Sequence, residues 1–183
     1  MSNIKLLTRL GLFVQTIARF LERLRTEHPR LCGEVEAELR ERYLDREGYF
    51  ADARSSEAPR RLAQAALDVY QLVQQFAGHR TVSGMEAFTL LQRLYHDQCV
   101  PPTTEAPVQI DLQEKPSSSS LQSPSDPDVT YGHKGKGYEA QLVETCGDNN
   151  PFEVVTAVSV NGANESDQQH VLPILDQVAR TCG

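Results

Sequence analysis

Residues Ser123 to Tyr138 read SPSDPDVTYGHKGKGY, and this stretch separates two kinds of text. Before it, apolar residues recur at helical spacing; after it, they alternate. Its two aspartates flank a proline, and three glycines, a histidine and two lysines then crowd together before a tyrosine. A Walker A loop needs G-x-x-x-x-G-K-[ST] between a strand and a helix, whereas Gly137-Tyr138 here leads into a strand. The same placement excludes a dinucleotide loop from Gly132, Gly135 and Gly137. Asp126, Asp128 and His133 supply oxygen and imidazole donors close in sequence, weighed against the commoner reading of Asp-Pro-Asp as a turn cap.

Upstream, Leu6, Leu10, Phe13, Ile17, Phe20 and Leu24 step by four and three, which predicts one helix from Asn3 to His28-Pro29, capped by Ser2 or Asn3. A second helix is expected over Leu31 to Leu44, with Val35, Leu39 and Tyr43 inward. Ser55-Ser56-Glu57-Ala58-Pro59 reads as a start with Pro in the first turn. Leu62, Ala66, Val69, Leu72, Val73 and Phe76 then make one face of a third helix to Gly78. Ser83 is the expected cap of a fourth, with Met85, Phe88, Leu91, Leu94 and Tyr95 buried before Pro101-Pro102 stops it. Residues 1–100 thus form a helical region, a bundle or array. Residues 101–130 are rich in Pro and Ser and read as a linker, with one short strand at Val108 to Leu112.

Downstream, residues 131–183 predict two strands and a helix. Tyr138, Ala140, Leu142 and Val143 half-alternate, and Phe152 to Val160 is β-branched. Cys146 to Pro151 between them is turn chemistry, so the pair is expected as an antiparallel hairpin. Asn164-Glu165-Ser166-Asp167 opens a last helix, with Val171, Leu172, Leu175, Val178 and Ala179 as its inner face. A hairpin under one helix buries little, so this part is expected to be incomplete without further strands. The fold class is α+β.

The chain has 183 residues, 39% hydrophobic, no tryptophan and a net charge of −7. No run of eighteen apolar residues occurs, which excludes an obvious membrane helix. Arg9 and Arg19 interrupt the first apolar run and no small-residue cleavage site follows it, so the cytoplasm is the expected location. Charge is divided unevenly, 14 Lys+Arg against 13 Asp+Glu over residues 1–100 and 4 against 12 over 101–183. An acidic second half repels a phosphate backbone unless metal ions or partners intervene. Cys32, Cys99, Cys146 and Cys182 lack C-x-x-C spacing and read as thiols. No G-x-S-x-G is present, and the five histidines are scattered.

The combination of SPSDPDVTYGHKGKGYEAQLVETC, a Val-rich strand and Ala163-Asn164-Glu165-Ser166-Asp167 at a helix entry resembles the central part of insertion-sequence transposases with a DDE, RNase H-like catalytic domain. SNIKLLTRLGLFVQTI and LLQRLYHDQC resemble the helical region of one branch of that family. The resemblance implies phosphoryl transfer on DNA assisted by two divalent metals, Mg or Mn, held by three converging carboxylates. It places the first acid before Ser2-Asn3, and the second and third beyond Gly183, so the chain is expected as a fragment without catalytic acids, inactive alone. Asp126 and Asp128 remain the candidate substitutes, although the family uses them as a turn.

For DNA contact, His133, Lys134 and Lys136 are the expected residues, with Arg19, Arg23, Arg25, Arg60 and Arg61 as helical alternatives. The implied partners are the DNA of the element ends and an intact transposase. A non-catalytic partner-binding protein, or an inhibitor of transposition, is the other reading; a helical adaptor with a disordered Ser/Pro tail is a third.

Overall fold

A computed structural model describes residues 7–45, 56–104, 107–147 and 151–182. The chain is α+β and divides into two compact units, Met1–Pro127 and Asp128–Gly183.

The first unit is built on α1 (Arg9–Glu27), whose Thr8 hydroxyl accepts the Gly11 amide at 3.1 Å and so caps the helix. Ser2 and Asn3, the expected caps, lie outside the described residues. The expected stripe is buried from Leu10 to Leu24. Phe20 stands at its centre, 5.8 Å from the Phe76 ring and 5.5 Å from that of Phe88. Those rings come from α4 (Ala58–Phe76) and α5 (Glu86–Gln98), the two helices packed along α1. Pro59 opens α4 as expected, but the caps are Glu57 and, for α5, Met85. Ser83 instead sits in a 3₁₀ turn, Val82–Gly84, and donates to the Arg80 carbonyl.

The single helix expected over Leu31 to Leu44 is broken into α2 (Pro29–Glu34), α3 (Ala37–Arg40) and a π turn, Glu41–Asp45. Val35 is extended between them, which lets Val35, Leu39 and Tyr43 all reach the core. The widened last turn brings Arg42 and Tyr43 to one carboxylate: each donates to Asp68 Oδ2 at 2.6 Å, and Gln64 donates to Oδ1 at 2.9 Å. Asp68 is 1% exposed, so this ion needs all three partners.

The Pro/Ser-rich segment is no free linker in this structure, since through Pro127 it belongs to the first unit. Ile110, Ser120 and Leu121 are buried. Arg9 donates to the carbonyls of Gln98 and Gln113, Arg93 to those of Ser119 and Pro127, and Arg19 to that of Pro124. Asp97 accepts the Leu121 amide at 2.8 Å. Apart from the Gln98 carbonyl, which also accepts the Gln113 amide at 2.9 Å, charged side chains thus satisfy backbone groups that no ladder pairs. The short strand expected at Val108 to Leu112 contracts to one bridge, Cys99 with Leu112, and Val108 is 94% exposed.

The second unit is an antiparallel sheet in the order β1 (Thr130–Gly132), β2 (Gly135–Glu144), β3 (Val155–Gly162), followed by α6 (Asp167–Cys182). The hairpin β2–β3 is the expected one, in register from Tyr138 with Gly162 to Val143 with Ala157, and bulged after Val143. β1 is an addition: a three-residue strand is too short to show periodicity.

The inner face of α6 differs from expectation. Ile174 is buried with His170 and Val178 half-buried, whereas Val171, Leu172 and Leu175 are exposed. Polar contacts set this rotation. Gln141 donates to the Asp167 carbonyl and carboxylate at 3.4 and 3.3 Å. His170 Nε2 lies 2.8 Å from Glu165 Oε2, close enough for an ion pair but not aligned as a hydrogen bond. The sheet face toward α6 carries Gln141, Val143, Ala157 and Ser159. The opposite face carries Tyr138, Leu142, Val158 and Val160, all exposed.

Candidate functional site

The basic cluster of the sequence becomes the tip of the β1–β2 hairpin. Gly132 pairs with Gly135, which leaves His133 and Lys134 as the two turn residues. Among the described residues no side-chain-bearing residue has a positive φ; Gly135 takes φ +120° and so absorbs the handedness that a tight hairpin demands. Gly137 follows at φ +151°.

The tip is braced by the turn that leads into α6. A Cβ on Gly132 would lie 1.8 Å from the Ala163 carbonyl oxygen, so the two backbones touch where only glycine fits. Thr130 Oγ1 accepts the Asn164 amide at 3.2 Å, and the Ala163 amide donates to the Gly137 carbonyl at 3.3 Å. Glu165 closes the turn, its amide bonding the Gly162 carbonyl at 3.0 Å. The Gly-rich stretch and the Ala-Asn-x-x-x segment, some thirty residues apart in the chain, are therefore one junction.

His133 and Lys134 are exposed at this tip. Lys134 Nζ sits 3.2 Å from Glu139 Oε1, but at 87% exposure that pair is weak and open to exchange for another anion. Lys136 is half-buried, and desolvation lowers its ammonium pKa. Directly across the ladder stands exposed Tyr131, a residue that sequence reading passed over although it precedes the glycines. Two lysines, a histidine and a tyrosine on one protruding hairpin suit a phosphate and an adjoining base or sugar.

The other expected residues are placed differently. Asp126 is the next-to-last residue of the first unit, which ends at Pro127, and Asp128 begins the second. Asp128 is exposed and Asp126 partly buried. Among the described residues no three His, Cys, Asp or Glu side chains gather as a metal cage. Of the helical arginines, Arg19 is held by the Pro124 carbonyl and Glu86, whereas Arg23 with Glu27 and Arg60 with Glu57 form exposed pairs as weak as that of Lys134. A cavity of about 200 Å³ beside Arg19 and Arg23 is also lined by Glu27 and Glu86, a balance that selects neither sign of ion. Cys32 and Cys99 are buried thiols, and burial pushes Cys99 up to about 12. Cys146 is exposed. No helix among the described residues is long and apolar enough to cross a membrane.

No family model, curated protein or solved structure matches the chain.

Proposed function

We propose that the chain is a truncated insertion-sequence DDE transposase that carries a helical region and part of an RNase H-like domain, acting in the cytoplasm. It contacts DNA through the β1–β2 tip and performs no phosphoryl transfer by itself. The observation that carries this reading is the Gly132–Ala163 contact: the two segments on which the family resemblance rests meet as one braced hairpin. His133, Lys134 and Lys136 meet backbone phosphate, and Tyr131 lies against the sugar or base beside it. When bound in the complete enzyme, Mg or Mn would activate the attacking hydroxyl and stabilise the leaving oxygen. The donors among the described residues give such ions no cage.

The test is strand cleavage and transfer by the purified chain, with Mg²⁺ or Mn²⁺, on duplexes carrying the DNA that flanks its coding sequence on either side. The proposal predicts binding without cleavage. Cleavage abolished by Asp126→Ala or Asp128→Ala would make those residues catalytic and overturn it. The exposed apolar face of the sheet favours a second role, partner binding.

A further inference from the structure

We infer that the open face of the β1–β2–β3 sheet is the contact surface of a two-fold dimer of this chain, with β2 of one copy antiparallel to β2 of the other. Strand alternation puts Lys136, Tyr138, Ala140, Leu142 and Glu144 on that face of β2. Their ladder partners Tyr131, Val160, Val158 and Val155 extend the face across the sheet. Tyr131, Tyr138, Leu142, Val155, Val158 and Val160 are each between 47% and 65% exposed, although β-branched and aromatic residues belong on covered sheet faces.

Area and charge both point to a second copy. Taking roughly 150–250 Å² for a whole tyrosine and less for leucine and valine, the open fractions come to about 600 Å² per copy. Two apposed copies would remove about 1,200 Å², the lower bound for a stable specific interface. The open area of about 600 Å² per copy stands at the upper end of the apolar patches a monomer leaves in water. The face is also polar at its two ends with opposite sign, Lys136 at one and Glu144 at the other, and carries no charge between them on β2. Head-to-head apposition would set like charges together. An antiparallel two-fold places Lys136 against the partner's Glu144 twice, as an isologous contact requires. Ala140 is midway between them, so the smallest side chain of the row falls on the symmetry axis, where each copy meets itself. The strand span of about 27 Å keeps both ion pairs at the rim.

The dimer does not depend on the transposase reading and is measured without DNA; it shares Lys136 and Tyr131 with the proposed DNA contact, so dimer and duplex compete for these two residues. Sedimentation equilibrium of the full chain across about 1–200 µM, roughly −8 to −5 kcal/mol of association free energy, is expected to show a monomer–dimer equilibrium. Leu142→Thr/Val158→Thr, which keeps strand propensity and removes apolar surface, is expected to raise the dissociation constant more than tenfold with an unchanged far-UV spectrum. Lys136→Glu is expected to raise it roughly tenfold by creating two Glu–Glu contacts, and Lys136→Glu/Glu144→Lys to restore it. A monomer throughout the range overturns the inference. So does a dimer indifferent to Leu142→Thr/Val158→Thr, or one that the charge exchange fails to rescue. If Leu142→Thr/Val158→Thr weakens duplex binding while a monomer is all that sediments, the face belongs to nucleic acid and the dimer is refuted.

Discussion

Replacing Gly132 by alanine tests the junction that joins the basic hairpin to the entry of α6. The added Cβ would stand 1.8 Å from the Ala163 carbonyl oxygen and 2.5 Å from its carbonyl carbon, both backbone atoms with no rotamer to yield. One segment must retreat by more than about 1 Å, and overpacking of this kind costs about 1–3 kcal/mol. The upper end applies because the retreat also strains the bond from the Asn164 amide to Thr130 Oγ1, worth about 1 kcal/mol. A loss of about 3 kcal/mol is a change of more than a hundredfold in the opening equilibrium. Native-state hydrogen exchange reads this directly, because amides of β2 and β3 report the second unit alone. Protection at Gln141, Val143 and Ser159, whose amides face the partner strand in the β2–β3 ladder, is expected to fall about a hundredfold, with amides of α1 and α4 unchanged. Gly33→Ala, where the new Cβ meets nothing within 4 Å, is the control and should be neutral or stabilise slightly. Protection in Gly132→Ala within threefold of the parent would refute the account of the junction.

Asp68→Asn removes a buried charge from between Arg42 and Tyr43 and should destabilise the helical unit by about 3–5 kcal/mol, seen as a lowered urea midpoint with an unchanged slope. Burial raises both the Cys99 thiol, from 9.0 to about 12, and the Tyr43 phenol, so the folded state keeps protons that the unfolded chain releases. Stability from these groups is whole below pH 9 and is lost as pH rises toward 12; thermal melting of the helical unit across that window should move down, and an upward shift would contradict the burial. In folded protein at pH 8 a maleimide should label Cys146 rapidly and leave Cys32 and Cys99 untouched, with labelling sites read by peptide mass.

The helices were legible where burial was one-sided. Leu10 through Leu24 and Ala66 through Phe76 show a 3.6-residue period because each helix presents one stripe to a shared core. Asp68 stands on that stripe between Ala65 and Leu72 and was passed over, although an acid there demands partners. The break at Val35 was not, because Val35, Leu39 and Tyr43 keep a helical period even though the chain bends between them. The Pro/Ser segment misled for a related reason: composition reports the absence of a ladder, whereas Arg9, Arg19, Arg93 and Asp97 hold this segment from distant positions. In α6 the apolar count favoured Val171, Leu172 and Leu175, and polar contacts at Gln141 and Asp167 turned the helix the other way. Of the candidate site, the turn residues His133 and Lys134 could be read from their glycines. Tyr131, the brace at Ala163 and the apolar outer face required the pairing of strands.

DNA binding by the whole chain, followed by fluorescence anisotropy on a labelled duplex over a salt series, tests the proposed role of the hairpin most directly. Each phosphate neutralised adds about 0.9 to the slope of log affinity against log salt. Lys134→Ala/Lys136→Ala should therefore weaken binding on every duplex alike and flatten the slope by nearly 2, about 1 for each lysine. No binding by the parent chain, or a slope unchanged by the double substitution, would contradict it.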